Sequence, residues 1–233
     1  MQTSAQWREF ASRGELAAIF AADVAKALTQ AIEQRGTAFL AVSGGTTPAG
    51  FFRALSNEDV DWKKVVVTLI DERFVPETSE RSNAALVASS LLQNRAKQAR
   101  FVGLYQPAET VEAAAEQASN ALAALPWPLD IAILGMGVDG HTASFFPDAV
   151  SLDALLSPDE AGFVLPVHSL SAGERRLTMP LSRIGAAGWI VVHIEGAEKR
   201  AVLEAALQPE VARPISAVFR QGRKRPVDIY WAP

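Results

Sequence analysis

Apolar side chains recur at helical spacing from Arg13 to Gln34, at Leu16, Ile19, Phe20, Val24, Leu28 and Ile32, and Gly36 follows as a stop. The period then changes. Ala38-Phe-Leu-Ala-Val42, Lys64-Val-Val-Val-Thr-Leu-Ile70, the four residues after Asp130 and Gly188-Trp-Ile-Val-Val-His-Ile194 are short, nearly continuous apolar runs. Such runs predict strands buried on both faces, as in a parallel sheet. Phe163 to Val167 and Val227 to Trp231 predict two more strands. Between them, helices are expected after Pro48, carrying Phe51, Phe52 and Leu55; from Ser82 to Gln93; from about Glu109 to Leu125; and from the Glu195-Gly-Ala-Glu-Lys199 segment through Leu207. Residues 148–173 are the least regular stretch. The alternation predicts an α/β fold: a single doubly wound, mostly parallel sheet flanked by helices, with residues 1–233 forming one domain.

Composition narrows the classes. At 233 residues, 49% hydrophobic and 21% charged, the chain has the make-up of an ordinary globular protein with a substantial core. No apolar run reaches the 18 residues of a membrane span, and the N-terminus lacks the order of a signal peptide, so a soluble, cytoplasmic protein is expected. The absence of cysteine excludes disulfides, thiolate nucleophiles and Cys-based metal sites. A net charge of −4 argues against nucleic acid or an anionic membrane as partner, while leaving room for a local basic pocket.

Three predicted strand ends carry the chemistry. The first apolar strand runs into Ser43-Gly-Gly-Thr-Thr-Pro48, a glycine loop leading to a helix start. Backbone N–H groups in such a loop suit a phosphate. The Gly-Lys-Ser/Thr ending of a Walker loop is missing, and the plain alternative is a strand-to-helix turn. The second strand ends in Asp71-Glu-Arg-Phe-Val-Pro76, either a site placed at a strand's carboxyl end or a solvated, salt-bridged corner. The third opens into Gly135-Met-Gly137-Val-Asp139-Gly140-His141-Thr-Ala-Ser-Phe-Phe-Pro147. Its three glycines let the backbone turn and approach a ligand, and His141 is the side-chain type suited to a general base near neutral pH. Gly135-x-Gly137-x-x-Gly140 also matches the dinucleotide fingerprint, yet it is followed by neither a long helical pattern nor a next strand. The topology is therefore Rossmann-like without a dinucleotide site. His193 reads as a satisfied core histidine, and His168 has no assigned role.

Taken together, Ser-Gly-Gly-Thr-Thr-Pro, Asp-Glu-Arg-Phe-Val-Pro with Ser82-Asn83 downstream, and the Gly135 to Pro147 segment resemble the 6-phosphogluconolactonase family of the glucosamine-6-phosphate isomerase/deaminase superfamily. The resemblance spans nearly the whole chain in the same order. It implies hydrolysis of a phosphorylated sugar lactone; with no cysteine and with His141, His168 and His193 scattered, no metal is expected, and no cofactor. It makes His141 the catalytic base and Arg73 an active-site arginine; Asp139, two residues before His141, is near enough in sequence to orient the imidazole. It implies substrate binding by Ser43, Gly44, Gly45, Thr46, Asp71, Gly137, Arg176 and Lys199, with the choice between Arg175 and Arg176 open. The loop His168 to Glu174 departs from the family's Pro- and Lys-containing pattern. A small-molecule sugar-phosphate lactone is the implied partner. The sequence does not report an oligomeric state, and a monomer is the expectation.

The superfamily's amino-sugar isomerase/deaminase also uses an Asp-Gly-His turn, but follows it with an acid that assists ring opening. Phe146 occupies that position here and cannot move a proton. Ester hydrolysis needs one base and an oxyanion stabiliser, so the lactonase reading survives the change. A non-enzymatic sugar-phosphate regulator would keep the phosphate loop and need not keep His141 and Arg73.

Overall fold

The structure is a computed structural model describing residues 5–222 and 225–233. In chain order it runs β1 (Ala5–Glu9), α1 (Arg13–Arg35), β2 (Ala38–Val42), α2 (Ala49–Leu55), β3 (Val65–Leu69) and β4 (Asp71–Arg73). It continues with α3 (Asn83–Ser90), β5 (Arg100–Val102), α4 (Val111–Ala123), β6 (Ile131–Leu134), α5 (Leu152–Leu156) and β7 (Leu165–Val167). Then come β8 (Arg176–Thr178), α6 (Leu181–Gly185), β9 (Trp189–Glu195), α7 (Ala197–Ala206), α8 (Pro214–Phe219) and β10 (Val227–Ala232).

Seven strands pair in parallel in the order β1-β10-β9-β6-β2-β3-β5, with helices packed against the sheet. The apolar runs become its centre: every residue of β2, β3 and β6 is buried. From β2 the chain builds outward through β3 to β5, then returns to the other side of β2 with β6. A reversal of that kind opens a crevice beyond the carboxyl ends of the two strands, here β2 and β6. Both glycine-rich loops leave from those ends.

Helix α1 is defined at both ends by its sequence. Ser12 accepts from the Glu15 N–H at 3.2 Å, while Glu15 accepts from the Ala11 N–H at 2.8 Å. Gly36, at φ +78°, closes the helix with an N–H to Ile32 O. The buried face, Leu16, Phe20, Val24 and Leu28, lies over the sheet, where Phe20 stacks on Phe51 at 4.1 Å and meets Tyr230 at 4.3 Å.

Strands β1, β4, β5 and β8 and the short helices α5, α6 and α8 have no counterpart in the sequence pattern. Strand β1 is an edge strand pairing only with β10, half-exposed and polar at alternate positions, so it has no apolar run to announce it. Strand β5 is three residues long. A second sheet, antiparallel and ordered β4-β8-β7, joins segments of three residues from distant parts of the chain. It adds to the doubly wound sheet without altering it.

Candidate active site

A cavity of about 310 Å³ opens at the reversal point, and ten of the predicted site residues line it: Ser43, Gly44, Gly45, Thr46, Asp71, Arg73, Gly137, His141, Arg176 and Lys199. The eleventh, Asp139, touches His141 from beside it.

At the end of β2 the backbone turns through Gly45, whose φ of +91° suits glycine. Among the described residues, the N–H groups of Gly44, Gly45, Thr46 and Thr47 donate to no protein acceptor. The buried Ser43 hydroxyl has no partner either. These N–H groups, on exposed and half-exposed residues, stay open to an anion or to water. Lys199 reaches the same loop from α7, its Nζ 3.2 Å from Thr47 Oγ1. Burial pulls this ammonium below its ordinary pKa, and the carboxylates of Glu195 and Glu198 oppose the drop. One end of the cavity thus gathers open N–H groups and an ammonium.

Strand β4 supplies the middle. Alternation along the strand sends Asp71 and Arg73 to the cavity and Glu72 away from it. Pairing with β8 sets Arg73 directly opposite Arg176. Each guanidinium has a buried Nε with no hydrogen-bond partner. Arg73 donates to Arg81 O, and Arg176 donates to Ala172 O at 3.0 Å while lying 5.6 Å over the Phe146 ring. Burial pulls Arg176 below its ordinary value, Asp71 resists, and the adjoining Arg73 adds to the fall. Arg175 is exposed, outside the cavity lining.

The other end is the turn after β6. Gly137 N–H bonds His141 O at 2.9 Å and Gly140, at φ +85°, bonds back to Gly137 O at 3.0 Å. The imidazole folds over Gly137, where a Cβ would stand 2.3 Å from His141 Cε1. Asp139 Oδ1 lies 2.6 Å from His141 Nδ1 and also accepts the His141 N–H at 3.1 Å. Burial works to raise the Asp139 carboxyl, but the backbone N–H and the ring of His141 outweigh it and hold it below the usual carboxylate range. An ionised carboxylate only accepts, so Nδ1 carries a proton toward it. Phe146 stacks on the other side of the ring at 4.4 Å. No long helix follows Gly140, the next being the five-residue α5, which removes the dinucleotide reading.

His193 is 3% exposed and packs edge-on to Phe20 and Phe51, as a core residue should. It is not satisfied, however: its Nε2 stands 3.6 Å from Glu195 Oε1, too far for a hydrogen bond, and the residue lines the cavity floor. His168 pairs with Glu112 at 2.6 Å on the surface, outside the cavity lining. Sequence reasoning also leaves Asn83, Glu72 and Ser144 without a role. Asn83 lines the cavity, and the other two hold its walls. The alternation of Asp71-Glu72-Arg73 in a strand is the available signal for Glu72. Among the described residues, no group of three or more His, Cys, Asp or Glu side chains is placed to hold a metal ion, and no helix is long and apolar enough to cross a membrane.

The family described as glucosamine-6-phosphate isomerases/6-phosphogluconolactonase matches residues 11–231. The chain belongs to that family. It is 56% identical over 230 residues to the 6-phosphogluconolactonase of Mesorhizobium japonicum, covering 99% of this chain and 96% of that protein. It is 50% identical over 232 residues to that of Rhizobium meliloti, covering 99% and 100%. The crystal structure of a 6-phosphogluconolactonase from Shewanella baltica superposes with a TM-score of 0.96 at 38% identity, covering both chains fully. A monomeric glucosamine-6-phosphate deaminase, at 19% identity over 97% of each chain and a TM-score of 0.77, shares the fold. The family thus spans two chemistries on one architecture, and side chains must separate them.

Proposed function

We propose that the protein hydrolyses 6-phospho-D-glucono-1,5-lactone to 6-phospho-D-gluconate, the second step of the oxidative pentose phosphate pathway. The observation that carries this reading is the pairing of His141 Nδ1 with Asp139 at 2.6 Å, across one cavity from a loop of unpaired N–H groups and Lys199. The names of the relatives point the same way. The phosphate sits on Ser43 to Thr47 and Lys199, which orients C1 toward His141. Neutral His141 takes a proton through Nε2 from the attacking water, and a bond forms between the water oxygen and C1. The carbonyl oxygen becomes an oxyanion beside Arg73 or the turn's N–H groups, worth roughly 3–4 kcal/mol for one good donor. The C1–ring oxygen bond then breaks, and the imidazolium returns its proton to the departing oxygen.

A lactone carbonyl is already electrophilic, so the step asks for no metal, no cofactor and no covalent intermediate. Deamination of an amino-sugar phosphate asks for a second acid near the base, and Phe146 fills that space with an apolar ring against His141. Asp71 and Arg176 are assigned to the sugar hydroxyls and the developing carboxylate, and Gly137 to the room the imidazole needs. We place the enzyme in the cytoplasm as a single-domain monomer.

The test is lactone consumption at slightly acidic pH, corrected for spontaneous hydrolysis, together with ammonia release from glucosamine 6-phosphate. The expected outcome is rapid hydrolysis that falls about 10²–10⁴-fold in His141→Ala, with no ammonia. Ammonia from the wild type, or full activity in the folded variant, defeats the reading.

A further inference from the structure

Glu72 points away from the cavity that its neighbours line, and it is fully buried. A carboxylate in such a place is costly unless its oxygens are occupied. Both are. Oε1 accepts from the N–H groups of Arg73 at 2.7 Å and Asn83 at 2.8 Å; Oε2 accepts from the Ser82 hydroxyl at 2.9 Å and the Ala84 N–H at 2.8 Å. Burial pulls the carboxyl's pKa up while these donors oppose the rise. Three of the four donors belong to the start of α3, so the carboxylate receives N–H groups the helix leaves unpaired there. It ties that helix end to the backbone of Arg73.

The first residue so fixed is Asn83, 3% exposed and lining the cavity. Its Nδ2 donates to Asp71 O at 2.8 Å. Its amide also presses against Gly44, where a Cβ would come within 1.9 Å of Asn83 Oδ1. Asn83 therefore touches the glycine loop on one side and the strand of Asp71 and Arg73 on the other.

We propose that Glu72 is a positioning residue: by holding the first turn of α3 it seats Asn83 as the spacer between Gly44 and Asp71. That spacer sets the distance from the anion loop to the Arg73 guanidinium. The inference rests on the functional reading above for its kinetic consequences only. The seating of Asn83 is a property of the free protein.

Three variants test it: Glu72→Gln, Asn83→Ala and the double variant. Glu72→Gln keeps the volume but turns an amide toward N–H groups, while Asn83→Ala leaves the backbone bonds to Glu72 in place. In protein shown folded by circular dichroism, kcat should fall about 10–10²-fold with KM changed less than about threefold, the signature of a misplaced reacting centre. The double variant should be no slower than Glu72→Gln, because one residue acts through the other. In free protein, the amide resonances of Gly44, Gly45 and Arg73 should move in both single variants, whatever the substrate proves to be. If Glu72→Gln does not fold, Glu72→Asp, which keeps the charge and shortens its reach, takes its place with the same two readouts. A folded variant with kcat within about twofold of wild type, effects that multiply in the double variant, or unmoved resonances each overturn the proposal. A wild type without lactonase activity instead counts against the assigned reaction, and the resonances still decide the seating.

Discussion

Ser144 Oγ donates to Asp71 Oδ2 at 2.6 Å, joining two buried residues from different strand ends. Ser144 lies three residues past His141, and Asp71 lies two before Arg73. The bond therefore locks the turn that carries the proposed base to the strand that carries the proposed oxyanion arginine. A second contact supports it: the Ser144 N–H reaches Thr178 Oγ1 on β8 at 3.3 Å, and β8 also bears Arg176. Three cavity walls meet at one serine.

Ser144→Ala removes the donor and leaves a buried carboxylate oxygen without it. The expected cost is about 1–3 kcal/mol of folding stability, the range for an unsatisfied buried group. The lactonase kcat should fall as well, since the walls are no longer registered. Chemical unfolding and steady-state kinetics on the same preparation check both effects. Unchanged stability would mean that Asp71 finds another donor.

Gly137 offers a sharper probe of the base. Its φ lies outside the left-handed region, so alanine fits the backbone there; only the side chain collides, 2.3 Å from His141 Cε1 and 2.6 Å from Asp139 Oδ1. Gly137→Ala should therefore keep the fold and move the imidazole, lowering kcat by about 10²-fold. Affinity for 6-phosphogluconate should change little, because the anion loop is untouched. Calorimetric titration beside the rate measurement separates the two, and weak binding with normal turnover would reverse the assignment.

Much of this arrangement is legible in the sequence. The four central strands are apolar on both faces, a pattern few other structures produce, and the glycine loops stand at their ends. Helix α1 ends where Gly36 announces a stop, at φ +78°. Of the ribbon of β4, β8 and β7, only β7 is legible, in the strand predicted from Phe163 to Val167; β4 and β8 are three residues long and carry no apolar run of their own. The ribbon's pairing of Arg73 with Arg176 joins positions far apart in the chain, which no local period records. Ser144 and Asn83 are hidden for the same reason: a hydroxyl or amide gains its meaning from a partner brought by the fold. His193 misleads in the other direction. An apolar run makes it a core residue, and only the position of the cavity reveals that its ring also meets the floor.

Lys199 marks the proposed anion end. It contributes one charged donor beside the open N–H groups of the loop, so Lys199→Ala should weaken binding of the phosphorylated lactone by about 1.5–3 kcal/mol. Turnover of unphosphorylated gluconolactone should scarcely change. Competition by inorganic phosphate gives an independent reading: it should inhibit the wild type more strongly than the variant. Equal damage to both lactones would make Lys199 a structural residue.

His193 predicts a pH dependence whose sign follows from its burial. Removal from water disfavours the imidazolium, so the folded-state pKa lies below its ordinary 6.5; Glu195 pulls it up and Lys199 pushes it further down, and burial prevails. As pH falls through 6.5 the unfolded chain takes up a proton that the folded chain refuses. Stability carried by the neutral ring is therefore present above that pH and lost progressively below it, until the folded-state pKa is reached. The slope from one such group cannot exceed about 1.4 kcal/mol per pH unit. His193→Gln has nothing to protonate, so the stability difference between wild type and variant should shift in the variant's favour from about pH 7 to pH 5. Denaturant titrations across that interval measure the difference directly, with the two other histidines and the acidic groups common to both proteins. Parallel curves would mean that the His193 pKa is the same folded and unfolded, and that Glu195 has closed its 3.6 Å gap to hold the charged ring.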